Sequence, residues 1–339
     1  MAELEAGIGE SSDRVSELPL DGFHLIVEEA VGKLNGHVRN GFRSAYRHLK
    51  RSWSLRPLDA EMSLFRAITA EEEAATSLIL ALRQRGYDGA EKLNPRNHVH
   101  KAGVTPFLDA VNEMLADSKV PVPKLNLQTG ERPRIDLVFD LATLLNEPEP
   151  RYAYVDEPFN YVVRREGDDI GYMFERELQD IASGRGSKSI AQFIKDEANL
   201  RNRLLYASHD GMPHVEFAAS VILRRRDRVH RLALITIGIM QTRQKQLFAA
   251  QCVRAYCSAL GHTILDRTDY SVLNEGDGFT TSILQRADGD YVETWTYRQT
   301  ISVNIGYRWL ERWHVPAGSL FSFACHGREE GERGSTEAS

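Results

Sequence analysis

Phe65-Arg-Ala-Ile-Thr-Ala-Glu-Glu-Glu-Ala-Ala-Thr-Ser-Leu-Ile79 is the stretch on which the fold of this 339-residue chain turns. Phe65, Ile68, Ala75, Ile79 and Leu82 recur at three- and four-residue steps, the spacing that lines one face of an α-helix. The seam position between Ile68 and Ala75 is Glu72, a carboxylate where the face should be dry. Burying a carboxylate is costly unless it is paired or hydrogen-bonded. Candidate partners follow in Asn94-Pro-Arg-Asn-His-Val-His-Lys101, which supplies Arg96, His98, His100 and Lys101.

Working outward, the region 22–118 carries helical patterns throughout. Val38, Phe42, Ala45, Leu49 and Trp53 mark one apolar face, and the run from Leu58 to Leu82 marks another that Gly86 should stop. Asn94-Pro95 has the form of an N-cap with proline in the first helical position. That short helix should end by Gly103, because Thr105-Pro106 repeats the start signal and Val104, Leu108, Val111 and Leu115 carry the next stripe. Helices joined by short turns predict a bundle.

Beyond a Pro- and Asn-rich connector at 119–150, the grammar changes. Arg134–Asp140 and Arg151–Val155 are strand-like, Lys188–Tyr206 and a long stretch from Val215 to Leu260 are helical, and Tyr291–Tyr297, Thr300–Ile305 and Ser319–Cys325 are aromatic and β-branched. The expected class is α+β: an N-terminal helical bundle, then a mixed α+β domain at 151–326 with a long helix and C-terminal antiparallel strands. Residues 1–21 form an expected flexible tail and 327–339 an expected disordered one.

Composition excludes more than it identifies. The net charge is −6, from 42 basic and 48 acidic residues, which argues against a wholesale nucleic-acid coat. Yet the charge is uneven. His37–Pro57 holds Arg39, Arg43, Arg47, Lys50, Arg51 and Arg56 with no acidic residue, and Arg224-Arg-Arg226 with Arg228 forms a second basic cluster. Cys252, Cys257 and Cys325 form no Cys-x-x-Cys and suit a reducing compartment. The N-terminus is acidic, and Leu232–Met240 is too short to cross a bilayer, so a cytoplasmic protein with no membrane partner is expected. There is no phosphate-cradling loop, dinucleotide fingerprint or Gly-x-Ser-x-Gly, and no cofactor is expected.

With a helix opening at Pro95, Arg96 and His100 would lie one turn apart on one face. An imidazole beside a guanidinium suits metal-independent phosphodiester cleavage: neutral His takes the proton of a ribose 2′-hydroxyl, and Arg holds the phosphate oxygens as charge builds. Glu72 would orient Arg96 or raise the basicity of an imidazole. The competing interpretation makes Arg96 and His100 a surface pair and Glu72 a capping or solvated carboxylate.

Phe65–Ile79 on one helix, followed by the Arg/His element, resembles the HEPN superfamily, and within it the AbiV-type abortive-infection proteins, over residues 30–118. The resemblance implies a dimer and metal-independent RNA cleavage in defence or toxin action, with the acidic role on Glu72 and the Arg and His roles on Arg96 and His100. His98 and Lys101 would be auxiliary. The family spaces its Arg and His by four to six residues, whereas Arg96 and His100 enclose three. Arg43-Ser-Ala-Tyr-Arg-His48 does enclose four, on an earlier helix, and makes Arg43 and His48 the alternative pair.

No metal site is expected. His98-Val-His100 and His209-Asp-Gly-Met-Pro-His214 lack the further ligands of a zinc set, and Glu275–Gly278 and Asp288–Asp290 lack calcium-loop spacing. Arg39, Arg43, Arg47 and Lys50 recur at helical spacing and, with Arg224, Arg225 and Arg226, are the candidate RNA-binding groups, unless acidic neighbours balance them. Tyr46 and Trp53 are candidates for base stacking, Trp53 also lying on the apolar seam. Two functions are compatible with these residues. One is an RNA-cleaving or RNA-binding HEPN-like protein; the other is a non-enzymatic helical oligomerisation module fused to a ligand- or protein-binding α+β domain.

Overall fold

The computed structural model describes residues 17–116, 124–140, 152–155, 157–164, 173–204, 206, 215 and 218–265, and the strand segments 279–285, 292–297, 302–304 and 313–316. The tails at 1–16 and 327–339, the His209–His214 segment, both acidic turns and Ser319–Cys325 lie outside the described residues.

Five helices open the chain: α1 (Gly22–Gly32), α2 (Gly36–Leu55), α3 (Ala60–Gln84), α4 (His98–Ala102) and α5 (Val104–Ala116). Asp21 caps α1 by accepting from His24 N, and Asp59 caps α3 by accepting from Met62 N. The expected stop at Gly86 holds. Gly86 sits at φ +70°, where a side chain would be strained, and Tyr87 N turns back to Leu82 O.

The α2–α3 contact runs along a seam of small residues at Ser63, Ala67, Ala70, Ala74, Ser77 and Ala81, all fully buried and spaced alternately by four and three. Their size lets the backbones approach. A Cβ on Gly41 would overlap Ser77 Oγ and press on Glu73 O at 3.3 Å. At the far end, Ser52 Oγ donates to Ser63 O (2.6 Å) and Ser63 Oγ donates to Ser52 O (2.7 Å).

Four more helices follow among the described residues: α6 (Glu175–Gly184), α7 (Ile190–Arg203), α8 (Ala218–Met240) and α9 (Leu247–Ala259). The stretch expected as one long helix is thus two, parted at Thr242–Lys245 and restarted at the buried Gln246. That residue accepts from Phe159 N (2.8 Å) and donates to Gly238 O (2.8 Å).

The expected boundary near residue 118 does not separate two cores. Helix α8 packs along α3, and one apolar cluster runs from Leu18 and Phe23 through α3 and α5 to Tyr256 and Cys257. The reason lies in α8 itself. From Val229 to Met240 it is buried all round apart from Arg231, and a helix apolar on every side has to be enclosed by its neighbours.

The strands are antiparallel. β1 (Lys124–Gln128), β2 (Arg134–Asp140), β3 (Tyr152–Val155), β7 (Ser302–Asn304) and β8 (Trp313–Pro316) form one sheet in the order β7-β3-β2-β1-β8. β4 (Tyr161–Arg164), β5 (Phe279–Gln285) and β6 (Val292–Tyr297) form a second, ordered β4-β6-β5. Leu127 pairs in register with Ile135, and both are buried. The end of α8 is stitched to this sheet: Ile135 N donates to Gln241 Oε1 (2.6 Å), and Gln241 Nε2 donates to Ile135 O (2.8 Å). The chain is mostly helical with antiparallel sheet, an α+β protein, and among the described residues no helix is long and apolar enough to cross a membrane.

Candidate functional site

Two adjacent carboxylates of α3, Glu71 and Glu72, are buried and point to different neighbours, being about 100° apart on the helix. Each draws its own set of cations.

Glu71 faces α8. Arg225 donates to its Oε2, and Arg228 Nη1 lies 3.6 Å from its Oε1. Arg228 and Arg231 also reach Asp109 of α5. Burial alone would push the Glu71 carboxyl up, but Arg225, Arg228 and the Thr105 hydroxyl outweigh it and hold it down at about 2. This is a closed ion-pair network that fastens α8 to α3 and α5.

Glu72 faces α4 and α7, and its surroundings are partly open. His98 Nδ1 lies 3.0 Å from Glu72 Oε2, Arg201 Nη1 donates to the same oxygen at 3.2 Å, and Lys101 Nζ lies at 3.4 Å. Glu72 and Lys101 are 4% and 8% exposed, whereas Arg201 is 22% and His98 45% exposed, so solvent meets the cluster at His98 and Arg201. Arg201 also lies against the Phe65 ring, 5.4 Å from its centroid.

The local structure explains which side chains arrive. Asn94 Oδ1 accepts from Arg96 N (2.9 Å), which folds Asn94–Arg96 into a turn, and Asn97 Oδ1 accepts from Val99 N (2.9 Å), which makes Asn97 the cap of α4. The helix therefore starts three residues later than Asn94-Pro95 implies. From that start His98 and Lys101 share a face, while His100 is rotated by about 200° from His98.

The predicted trio of Glu72, Arg96 and His100 is consequently not brought together. Arg96 sits in the exposed turn, and its side chain forms no hydrogen bond or ion pair among the described residues. His100 is buried on the other side of α4, where its Nδ1 accepts from Asn94 N (2.9 Å) and its ring meets His262 edge to face at 5.2 Å. Burial first, and His262 second, lower its pKa. A ring so enclosed is not placed to take a proton from a substrate. His98 and Lys101, expected as auxiliaries, are the α4 groups on Glu72, and Arg201 is the member sequence reasoning missed. It lies 129 positions from Glu72, and no local pattern in the sequence singles it out.

The alternative pair also separates. Arg43 and His48 are about 140° apart on α2. Arg43 is exposed, while His48 turns to α3, with its Nδ1 3.5 Å from Arg66 Nη1. Burial, then Arg66, Arg47 and Arg51, lower the His48 pKa.

The expected basic groups divide in the same way. Arg43 and Arg47 are exposed and form no ion pair among the described residues, Arg39 is half-buried, and Lys50 is paired with Glu28 at 2.7 Å. Arg224 is exposed, but Arg225 is committed to Glu71, and Arg226 to Asp227 and Pro19 O, so the triple-arginine run is largely an internal fastening. Tyr46 and Trp53 are buried in the core and not presented for stacking.

The hydrogen bonds assign the His98 tautomer. A guanidinium is always a donor, so Arg201 Nη2, 3.1 Å from His98 Nε2, makes Nε2 the acceptor, and Nδ1 carries the proton given to Glu72. A neutral imidazole held from behind by a buried carboxylate, with its unprotonated nitrogen bonded to a movable guanidinium, has the parts of a general base with an adjacent anion holder. No group of three or more His, Cys, Asp or Glu suited to holding a metal is found among the described residues. Compared with known proteins, the chain matches no family model, no curated protein and no solved structure.

Proposed function

We propose that His98, Arg201 and Glu72 form a metal-independent site for cleaving an RNA phosphodiester, in a protein of HEPN-like, AbiV-type character acting in defence or as a toxin. The observation that carries this reading is the solvent-facing His98–Arg201 contact at 3.1 Å with buried Glu72 behind it. His98 Nε2 removes the 2′-hydroxyl proton, the 2′-oxygen attacks phosphorus to form a 2′,3′-cyclic phosphate as the P–O5′ bond breaks, the departing 5′-oxygen takes a proton from water, and Glu72 stabilises the imidazolium through Nδ1–H. Arg201 swings from Nε2 to the phosphate oxygens, retaining its contact with Glu72 through its other nitrogen. The exposed Arg43 and Arg47, with Arg51, supply a basic surface for a polyanion. One chain provides every group of this site, so the dimer implied by the resemblance is not needed to complete it.

The second reading is non-enzymatic. It draws on the same contact: in this structure the guanidinium occupies the imidazole lone pair, so the cluster can serve wholly to fasten α7 to α3 and α4. Purified protein incubated with mixed-sequence RNA in EDTA separates the two. Cleavage lost in His98→Ala and in Arg201→Lys, retained in Arg96→Ala and absent on 2′-deoxy substrate is the expected result. An inert wild-type protein, or cleavage surviving His98→Ala, rejects the proposed site.

A further inference from the structure

Between α3, α5, α8 and α9 lies a half-enclosed apolar cavity of about 80 Å³. Leu82, Val111, Ile239, Ala249 and Val253 are among its walls. Polar chemistry is turned away from it. The Tyr256 hydroxyl in the wall donates to His100 O (2.8 Å), and among the described wall residues the one other side chain with a heteroatom is Cys252, a thiol that burial keeps neutral.

Protein interiors are close-packed and seldom keep voids larger than a water molecule. A water ordered here would need two to four polar partners, which the described walls do not offer, and apolar cavities take apolar guests. A dry cavity of about 150 Å³ admits benzene or xenon. This one has roughly half that room, which excludes an unstrained aromatic ring and suits a single xenon atom or the end of a short alkyl group.

We infer that this cavity is a binding site for a small apolar ligand, a short saturated hydrocarbon group with no hydrogen-bonding atom inside the pocket. Its walls come from helices on both sides of residue 118, so occupancy bears on the contact that joins the early and late helices.

Xenon and propane are suitable probes, read by methyl NMR of the full chain. The expected result is saturable shifts confined to methyls of walls such as Leu82, Val111, Ile239 and Val253, with benzene producing much smaller ones at equal activity. Ala249→Leu pushes an isobutyl group into the space and should abolish the response. Should that variant fold poorly, Val111→Ile, a smaller filling, should weaken it at least threefold. Absence of saturable shifts in the wild-type protein overturns the inference. So do shifts that persist undiminished in the filled variants, which would place the probe elsewhere.

Discussion

Replacing Glu72 by alanine removes the single carboxylate on which His98, Lys101 and Arg201 converge. The three losses differ in size. His98 is nearly half exposed and regains water, so its pair contributes at most about 1 kcal/mol. Arg201 can turn outward to solvent. Lys101, at 8% exposure, forms no other ion pair among the described residues, and breaking a buried pair from one side costs about 3–5 kcal/mol. Relaxation of the long lysine stem brings the expected total to about 3 kcal/mol, a fall in melting temperature of about 4 °C. Urea and thermal melts of Glu72→Ala measure it, with Glu73→Ala as the neighbouring control, expected within about 0.5 kcal/mol of wild type. Adding Lys101→Met removes the orphaned ammonium and should restore about 2 kcal/mol. A Glu72→Ala protein as stable as wild type, or a double variant no better than the single one, refutes the claim that a buried Lys101 is neutralised by Glu72.

Glu71 has a folded-state pKa of about 2 against an ordinary value of 4.5, so its stabilisation is complete above pH 4.5 and is lost as the pH falls through about 2; Glu71→Gln should flatten the stability curve across that window, as read by melts at stepped pH. His230 is buried neutral with its pKa lowered to about 3 by burial and by His24, so the unfolded chain binds the extra proton and stability falls from pH 6.5 towards 3; NMR of the ring should show no protonation step above about pH 4. Gly41→Ala should destabilise by about 1–2 kcal/mol in chemical melts, despite alanine's better helix propensity, and Ser77→Ala should restore most of it by removing the overlapping oxygen. If the α2 surface binds RNA, Arg43→Ala with Arg47→Ala should weaken affinity and reduce the slope of log Kd against log salt by about 2, whereas Arg225→Ala should leave the slope unchanged and lower stability instead.

What could be read from the sequence follows from how local each signal is. The anomaly at Glu72 was legible because a single charged seam position is visible within one helix, and so was the stop at Gly86. The start of α4 was misplaced because Asn94 and Asn97 carry the same chemistry three residues apart; one makes a turn and the other the cap, and that shift exchanged His100 for His98. Arg201 was beyond reach, since nothing short of the packed fold brings α7 to α3. The shared core was hidden for another reason. The run Leu232–Met240 is too short for a bilayer, but apolar residues on every side of a helical segment also mark the middle of a protein core, here the groove along α3.

Helix α4 has five residues, fewer than an isolated helix needs to persist in water. Its place is inherited from three moorings: Glu72 on one flank, the Asn94 amide on the His100 ring, and the Tyr256 hydroxyl on the His100 carbonyl. Together they hold a single turn of chain, whose release leaves the contacts among the long helices in place. The site can therefore be dismantled by a local opening far shallower than global unfolding, and amide exchange at Val99–Lys101 should run ahead of exchange in α3 and α8.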